Sequence, residues 1–320
     1  MHKILITGGS GFIGTNLISS LLSDEYQVIN LDIVPPLNAS HQSIYKYCDI
    51  RNFEDLEKKI TDFSPDYIIH LAARTDLNGK TLDDYNTNII GVENLCKISS
   101  NIKKLKKIIF TSSMLVCKSG HQPISNFDYC PDTVYGLSKV EGEKIVHKYN
   151  ETLPLHYIIR PTSIWGPWFR EPYRNFFDIV ISGKFLDIGH KYCTKTYGYI
   201  ANSVNQIKSL LLYSEIQNSS IIYIGDKEPL NISKWANEIC SIANIRKPIR
   251  IPFFLIYVLS YIGDFLSIFN ISFPMTSFRL KNMTTNHIIN CDVACNENIF
   301  EVIDNKKAIT DTLIWIKREN

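Results

Sequence analysis

The sequence predicts an α/β protein built on a doubly wound parallel sheet, and three observations lead to that prediction. First, an apolar strand over residues 3–7 runs directly into three glycines spaced three residues apart. Second, short β-branched runs alternate with longer helical patterns through the first half of the 320 residues, which favours a parallel sheet with right-handed crossovers. Third, 45% hydrophobic and 21% charged residues are typical of a chain that buries a large core.

The predicted strands and helices alternate, except that no helix is predicted between the second and third strands. Apolar β-branched runs predict the strands, and stretches with helical spacing predict the helices between them. The strands cover residues 3–7, 27–31, 44–47, 67–71, 107–111 and 155–160, and the helices cover 11–22, 53–62, 84–101 and 135–150.

The first strand leads into a glycine turn that suits a bound pyrophosphate. Gly8, Gly11 and Gly14 supply a tight turn, bare backbone against the phosphates and close packing of helix on strand. The helix that follows offers free N–H groups and the positive end of its dipole. The alternative is a glycine turn that only packs a helix against the sheet.

Carboxylates end the second and third predicted strands. Asp32 stands 18 residues after Gly14, where a carboxylate suits the two ribose hydroxyls of NAD and repels the 2′-phosphate of NADP. Asp49 could reach the adenine amino group, or it could cap the helix that begins at Phe53. The sequence therefore favours NAD over NADP and leaves both roles of Asp49 open.

Small and hydroxyl side chains end the next two strands. Ala72 and Ala73 let the backbone approach a ligand, and Thr111, Ser112 and Ser113 follow in the same layer. Open α/β sheets bind ligands at the carboxyl ends of their strands, so both segments belong to the predicted cofactor edge. Alone, three hydroxyl residues are more typical of turn chemistry than of catalysis.

A tyrosine and a lysine share one face of the helix predicted over residues 135–150. Tyr135 and Lys139 are four residues apart, the spacing at which helical side chains are neighbours. A nearby ammonium favours the phenolate of a tyrosine, whose free pKa is about 10, and lets it act as acid or base near neutral pH. The alternative is a surface Tyr–Lys pair.

These features together resemble the extended short-chain dehydrogenase/reductases, in the branch of nucleotide-sugar epimerases and dehydratases. The matching motifs span residues 1 to about 170 and are the glycine turn from Thr7 to Gly14, Asp32, Asp49 to Arg51, His70 to Ala73, Asn88 before Gly91, Thr111 to Ser113, Tyr135 with Lys139, and Arg160–Pro161 followed by Trp165 to Pro167. The resemblance implies a Rossmann-type doubly wound parallel sheet over residues 1–165, which segments near 195–225 rejoin. It also implies a smaller C-terminal α/β substrate domain over residues 166–320.

The resemblance also implies roles for individual residues. Tyr135 would be the general acid/base on a substrate hydroxyl, Ser113 would hydrogen-bond the same oxygen, and Lys139 would hold the nicotinamide ribose and lower the tyrosine pKa. Contacts with NAD are implied for Gly8, Gly11, Phe12, Ile13, Gly14, Asp32, Asp49, Ile50, Leu71, Ala72, Ala73, Asn88, Tyr135 and Lys139. Contacts with substrate are implied for Arg74, Met114, Asn175, Lys195 and Arg279, and no metal site is expected.

Departures from the family pattern narrow the chemistry. Met114 and Leu115 stand where the 4,6-dehydratases of this family carry Asp-Glu, so a 4,6-dehydratase is not expected. Lys195 replaces a phosphate-binding arginine, which keeps the charge but loses the bidentate fork. The aromatic and basic residues between Trp165 and Arg174 could stack on uracil and pair with a diphosphate, or they could form a packed loop.

The activity implied by the resemblance is that of an NAD-dependent 4-epimerase acting on a nucleoside-diphosphate sugar. One alternative is a nucleotide 4-keto-6-deoxysugar reductase that uses the same residues. A 3β-hydroxysteroid-type dehydrogenase is another, since relatives there also carry an apolar C-terminal helix like residues 253–269. A catalytically inactive NAD-binding regulator is a fourth reading, which the intact Ser113, Tyr135 and Lys139 argue against.

The net charge, the start of the chain and its apolar segments indicate which partners and which compartment to expect. A net charge of +2 without a dense basic arm does not favour nucleic acid. The chain starts at a strand without a leader, so we expect a cytoplasmic protein. Residues 253–269 are too short for a membrane span and are expected to form a buried or groove-covering helix in preference to a membrane-surface contact. The family resemblance implies a homodimer through helices 84–101 and 135–150.

Overall fold

The computed structural model describes most of the chain: residues 2–171, 173–188, 193–212, 220–269, 271, 273, 275–294 and 300–319. In chain order, the strands are β1 Lys3–Thr7, β2 Gln27–Asp32, β3 Tyr45–Tyr47, β4 Tyr67–His70, β5 Lys107–Thr111, β6 Leu155–Pro161, β7 Ser163–Trp165, β8 Leu186–Asp187, β9 Thr194–Lys195, β10 Tyr197–Tyr199, β11 Ser220–Ile224, β12 Leu230–Asn231 and β13 Ile249–Arg250. The α-helices are α1 Phe12–Ser23, α2 Phe53–Phe63, α3 Asn86–Ser99, α4 Val134–Lys148, α5 Tyr173–Ile181, α6 Ile200–Leu212, α7 Ile232–Ala243, α8 Phe253–Ile268, α9 Ser277–Thr284 and α10 Asn305–Glu319.

A seven-stranded parallel sheet organises the fold. Its strand order is β11-β6-β5-β4-β1-β2-β3, and every neighbouring pair is parallel. The chain builds outward from β1 through β2 and β3, then returns to the other side of β1 with β4. This order confirms the predicted doubly wound sheet and leaves a crevice at the carboxyl ends of β1 and β4, where such sheets bind ligands.

The central strand is buried on both faces, which is why it is a continuous apolar run. Ile4 and Ile6 face a core shared with α1 and α6, whereas Leu5 faces a second core shared with α2 and α3. All three side chains are fully buried. Helices therefore cover both faces of the sheet, as expected for a parallel sheet.

The helix that follows β3 is capped by Asn52, not by Asp49. The Asn52 side chain accepts a hydrogen bond of 3.0 Å from the Asp55 amide, and it directly precedes the first helical residue. Asp49 instead accepts from the Arg51 amide at 2.9 Å and pairs with the Arg51 guanidinium at 2.6 Å. The cap interpretation of Asp49 is therefore wrong.

The second half of the chain contributes the seventh strand and a set of smaller elements. β11 pairs with β6 from Ser220 opposite Tyr157 to Ile224 opposite Pro161, and α6 packs on α1. Three two-stranded pairs, β10 with β7, β12 with β9 and β13 with β8, accompany the remaining helices. The boundary predicted at residue 165 stays a prediction.

An aromatic cluster packs the smaller elements of the second half on one another. Trp165 and Phe169 are both 1% exposed, and the Trp165 ring centroid lies 5.0 Å from that of Trp235 and 5.5 Å from that of Phe177. These buried rings are packed against protein, so the stacking role considered for this stretch is wrong for Trp165 and Phe169.

Helix α8 differs most from expectation. Of its sixteen residues only Ile256, Ser260 and Gly263 are buried, so the interpretation as a buried helix is wrong for most of its surface. No helix in the ranges given above has both the length and the apolarity that crossing a membrane requires.

Candidate active site

Of the three glycines predicted to bind a pyrophosphate at the turn between β1 and α1, two are closely packed and one is open. Gly8 has a φ of +74°, and a Cβ there would overlap the backbone nitrogen of Ala72. A Cβ at Gly14 would lie 2.5 Å from the Cα of Gly9. At Gly11, by contrast, the nearest protein atom would be the Gly8 carbonyl oxygen at 3.4 Å, an ordinary contact. The bare backbone at Gly11 is therefore not needed for folding, and it leaves an open face at the N-terminus of α1 that fits a phosphate.

Asp32 stands beside this turn at the end of β2. Its carboxylate accepts hydrogen bonds from the Ser10 amide at 3.0 Å and the Val34 amide at 3.2 Å. Burial raises the pKa of Asp32, while the bonds from Val34 and Ser10 act in the opposite direction. The structure thus places an oriented carboxylate next to the open glycine. Phe12 and Ile13 begin α1 at the same edge, both half-buried.

Asn88 holds the loop that follows β4. Its side-chain oxygen accepts from the Arg74 amide at 2.8 Å, and its nitrogen donates to the Arg74 carbonyl at 3.0 Å and to the Ser138 hydroxyl at 2.9 Å. Both amide hydrogens are used within the protein, and Asn88 is buried. Asn88 therefore supports the loop from Leu71 to Arg74, and its predicted contact with the cofactor stays a prediction.

The Arg74 guanidinium is committed to neighbours on its own loop. It donates to the Asp76 carboxylate at 2.7 Å and to the Asp84 carbonyl at 2.8 Å, and it lies 5.1 Å from the centroid of the Tyr85 ring. These partners hold the guanidinium on its own loop, and the predicted contact of Arg74 with substrate stays a prediction.

The Ile50 side chain is buried and packs against Gly91 of α3, where it leaves no room for a Cβ.

Tyr135 and Ser113 meet although they lie on different elements. The Thr133 side chain caps α4 by accepting a bond of 3.0 Å from the Gly136 amide, which places Tyr135 in the first turn. Burial raises the pKa of Tyr135 to about 12, and a hydrogen bond with the Ser113 side chain opposes that shift. Ser113 in turn accepts from the Leu115 amide at 3.1 Å.

Lys139 lies one turn further along α4 and is buried. Its ammonium donates to the Thr111 carbonyl oxygen at 2.9 Å, and its nitrogen lies 6.0 Å from the centroid of the Tyr135 ring. Burial lowers the pKa of Lys139 to about 8, and Glu143 raises it. The expected lowering of the Tyr135 pKa is absent in the described chain, because desolvation of the phenol dominates.

The remaining predicted substrate residues are spread over four elements. Met114 begins a short 3-10 turn directly after Ser113 and is half-buried. Asn175 is exposed on α5, Lys195 is half-buried on β9, and Arg279 is exposed on α9. Their contacts with substrate stay predictions.

A buried ion pair next to Lys139 was missed by the sequence reasoning. The Arg160 guanidinium donates to both Glu143 oxygens, at 2.8 and 2.7 Å, and both side chains are 1% exposed. Tyr135, Lys139 and Glu143 follow one another at four-residue intervals on one face of α4. That spacing is the signal that could have identified Glu143.

A small cavity of about 20 Å³ lies behind the site. Its lining includes His70, Ser112, Lys139 and Glu143. His70 donates or accepts a 2.7 Å hydrogen bond with the Thr7 hydroxyl through Nδ1, and burial lowers the pKa of His70 to about 3. Within the described residues, no cluster of three His, Cys, Asp or Glu side chains could hold a metal ion.

Residues 4–187 match the model of the family described as NAD dependent epimerase/dehydratase. Among curated proteins, the chain is 30% identical over 288 residues to the N-acetyl-α-D-glucosaminyl-diphospho-ditrans,octacis-undecaprenol 4-epimerase of Escherichia coli O157:H7, covering 87% of this chain and 84% of that protein. It is also 30% identical over 258 residues to a 3-β-hydroxysteroid dehydrogenase of Mycolicibacterium neoaurum, covering 75% and 69%.

Solved structures share the fold over nearly the whole chain. The UDP-glucuronic acid 4-epimerase of Bacillus cereus, in complex with NAD, has a TM-score of 0.74 at 21% identity, with 99% of this chain and 96% of that chain covered. The UDP-glucose 4-epimerase of Thermotoga maritima, with UDP-glucose, has a TM-score of 0.76 at 18% identity, with 99% of each chain covered.

Proposed function

The chain belongs to the NAD-dependent epimerase/dehydratase family, and on that premise we propose that it is a 4-epimerase of a diphosphate-linked sugar. The observation that carries the proposal is the convergence of Ser113, Tyr135 and Lys139 at the sheet edge that also holds the glycine turn. A nucleoside diphosphate is the carrier expected from the resemblance.

The residues at the glycine turn fit NAD. The open backbone at Gly11 would leave room for the pyrophosphate. The oriented carboxylate of Asp32 would accept hydrogen bonds from the ribose hydroxyls. Bound NAD would supply the hydride acceptor and donor that the reaction needs. The carboxylate of Asp32 would repel the additional phosphate of NADP.

The chain itself would handle the proton of the sugar hydroxyl. Because the pKa of Tyr135 is about 12, its hydroxyl is protonated at neutral pH and can donate to a sugar oxygen. Removing that proton requires positive charge near the phenol, and the Lys139 ammonium, with a pKa of about 8, is mostly charged at pH 7. Ser113 would orient the same oxygen.

One feature argues against a dehydratase, and the names of two relatives supply further candidates for the substrate. Met114 and Leu115 carry no acid or base, so elimination of water from the sugar has no group to support it there. The name of the Escherichia coli relative specifies 4-epimerisation of a sugar on undecaprenyl diphosphate, which makes a polyprenyl diphosphate a second candidate for the carrier. The steroid dehydrogenase relative keeps a sterol as the third candidate.

The test is an activity assay of the purified protein. We expect interconversion of the 4-epimers of a UDP-sugar, or of N-acetylglucosaminyl diphosphoundecaprenol, without net consumption of NADH. Tyr135→Phe should lower kcat by about 100-fold or more, and Tyr47→Phe at an exposed position is the control.

Other outcomes assign other functions. Stoichiometric NAD(P)H oxidation identifies a reductase, and turnover of a sterol alone identifies a steroid dehydrogenase. Sugar turnover that Tyr135→Phe leaves unchanged removes Tyr135 from the chemistry.

We also propose a homodimer through α3 and α4. Ile90 on α3 and Leu137 on α4 expose apolar side chains, and the two helices pack on each other within the chain. Light scattering should give the mass of a dimer at micromolar concentration, and Leu137→Glu should give a monomer. A monomeric wild type contradicts this proposal.

A further inference from the structure

Helix α8 carries its apolar side chains on the outside. The residues on its outer surface are between 43% and 74% exposed, and they are Phe254, Leu255, Tyr257, Val258, Tyr261, Ile262, Phe265 and Ile268. Its inner surface is formed by Ile256, Ser260 and Gly263. An ordinary surface helix has the opposite arrangement, with its apolar stripe toward the core.

The inner surface is too closely packed for α8 to rotate about its axis and bury its apolar side chains. A Cβ at Gly263 would overlap the carbonyl oxygen of Met275, so backbone meets backbone there. Asp264, the one charged residue of α8, accepts a hydrogen bond of 3.0 Å from the Ser277 amide at the start of α9. The small residues and the carboxylate therefore hold the apolar side chains outward.

The exposed apolar surface is one contiguous strip. Single exposed apolar residues are normal on protein surfaces, but a helix of sixteen residues is about 24 Å long, and apolar side chains follow one another along it. Phe269 and Ile271, both more than half exposed, extend the strip beyond the helix. Contiguous patches of this kind mark contacts with proteins or membranes.

The charged residues next to α8 in the sequence are nearly all positive. From Ile239 to Cys291 the sequence contains five Lys or Arg residues and one carboxylate, Asp264. Arg246, Lys247 and Arg250 precede α8 directly and are exposed. A two-fold contact through α8 would bring the cations of both copies to the rim of one interface, and like charges there disfavour a second copy as the occupant. An anionic lipid surface complements them.

We propose that α8 docks the protein on an anionic membrane surface. The helix would lie in the plane of the interface, with the side chains from Phe254 to Phe269 among the acyl chains and Arg246, Lys247 and Arg250 on the lipid phosphates. The inference concerns a surface that contains none of Ser113, Tyr135 and Lys139, and it does not depend on the proposed function. It would place the enzyme where a lipid-carried diphosphate sugar is found.

The test is flotation of the full-length protein with phosphatidylcholine vesicles, prepared with and without phosphatidylglycerol. We expect binding to the anionic vesicles that weakens as salt is raised, because screening reduces the attraction of the exposed basic residues. The double variant Tyr261→Ser/Phe265→Ser should bind at least tenfold more weakly to both kinds of vesicle.

Charge reversal and a matched control complete the experiment. Arg246→Glu/Lys247→Glu should lose binding to the anionic vesicles by more than about 20-fold, since each basic residue near the surface contributes about fivefold. Ile124→Ser/Val293→Ser removes two exposed apolar side chains elsewhere and should bind like the wild type. Circular dichroism of each variant checks that the fold is retained.

A wild type that stays with the soluble fraction at low salt overturns the proposal. So does an oligomer that Tyr261→Ser/Phe265→Ser dissociates while vesicle binding is absent, because a second copy then covers the strip. Turnover of a water-soluble UDP-sugar should be equal in the wild type and the Tyr261→Ser/Phe265→Ser variant, so a failure of the proposed function is visible separately.

Discussion

The Lys139 ammonium donates a hydrogen bond of 2.9 Å to the Thr111 carbonyl oxygen, which ties the middle of α4 to the carboxyl end of β5. The amine is buried, and this burial lowers its pKa to about 8. The side chain proposed to assist Tyr135 is thus held where its charge is unfavourable. The proposed activity and the stability of the fold therefore make opposite demands at this position.

Replacing the amine should therefore stabilise the protein. The pKa of Lys139 is about 8 in the fold and 10.5 in its usual state, so below pH 8 the native state must hold a proton that burial disfavours. Lys139→Met removes that penalty and should raise the free energy of unfolding at pH 7 by about 2 kcal/mol. Urea denaturation measures the change, and sugar turnover should be lost.

The same helix offers the control. Lys144 is exposed and pairs with Glu141 at 2.8 Å, so Lys144→Met should change stability by less than about 0.5 kcal/mol. The wild type should also gain stability between pH 8 and pH 10.5, as the folded protein releases the proton first, whereas Lys139→Met should not. If the stability of the wild type and of Lys139→Met changes equally with pH, Lys139 is not the group with the lowered pKa.

Two glycines of the first turn should respond differently to the same substitution. Gly11→Ala meets no protein atom nearer than 3.4 Å, so its thermal stability should match the wild type while NAD affinity falls at least tenfold. Gly14→Ala would press on the Cα of Gly9 at 2.5 Å and should destabilise the fold by about 1–3 kcal/mol. Calorimetric titration with NAD and thermal melting separate the two effects. Unchanged NAD affinity in Gly11→Ala would remove this turn from the cofactor site.

The buried pair of Glu143 and Arg160 should show strong energetic coupling. Removing one partner leaves a buried charge without compensation, so Glu143→Leu and Arg160→Met should each cost about 3–5 kcal/mol. The double variant should cost much less than the sum, because neither charge remains. A denaturation cycle with all four proteins measures the coupling, and the exposed Glu141–Lys144 pair, with an expected coupling under about 1 kcal/mol, is the control.

Local sequence was sufficient for the parts of the site that depend on short spacing. The glycine turn and the pair of Tyr135 and Lys139 each lie within one turn or one helix face, and the parallel sheet follows from the alternation of strands and helices. The contact of Glu143 with Arg160 joins α4 to β6, and spacing along the chain contains no information about that pairing.

Burial was the quantity that the sequence did not determine. The pKa of Tyr135 rises because tertiary packing desolvates the phenol. The presence of Lys139 four residues away predicts a lowered pKa instead. Residues 253–269 form an apolar run that looks the same whether its side chains face a core or the outside. The direction is set by Gly263, which lies so close to the Met275 carbonyl oxygen that no larger side chain fits there.

His70 should make the protein sensitive to mild acid. It is buried, and its pKa is lowered to about 3 from 6.5, so the native state keeps the ring neutral while the unfolded chain takes up a proton below pH 6.5. Stability is therefore full above pH 6.5 and is lost as the pH falls toward 3. Between pH 7.5 and pH 5 this one group should lower the free energy of unfolding by about 2 kcal/mol.

His70→Asn, measured by urea denaturation at both pH values, should lose that part of the pH dependence. Thr7→Val removes the 2.7 Å bond to the ring but keeps the histidine, so it should lower stability by about 1–2 kcal/mol at both pH values and leave the difference between them intact. A His70→Asn variant as acid-sensitive as the wild type would show that the ring is already charged in the folded protein.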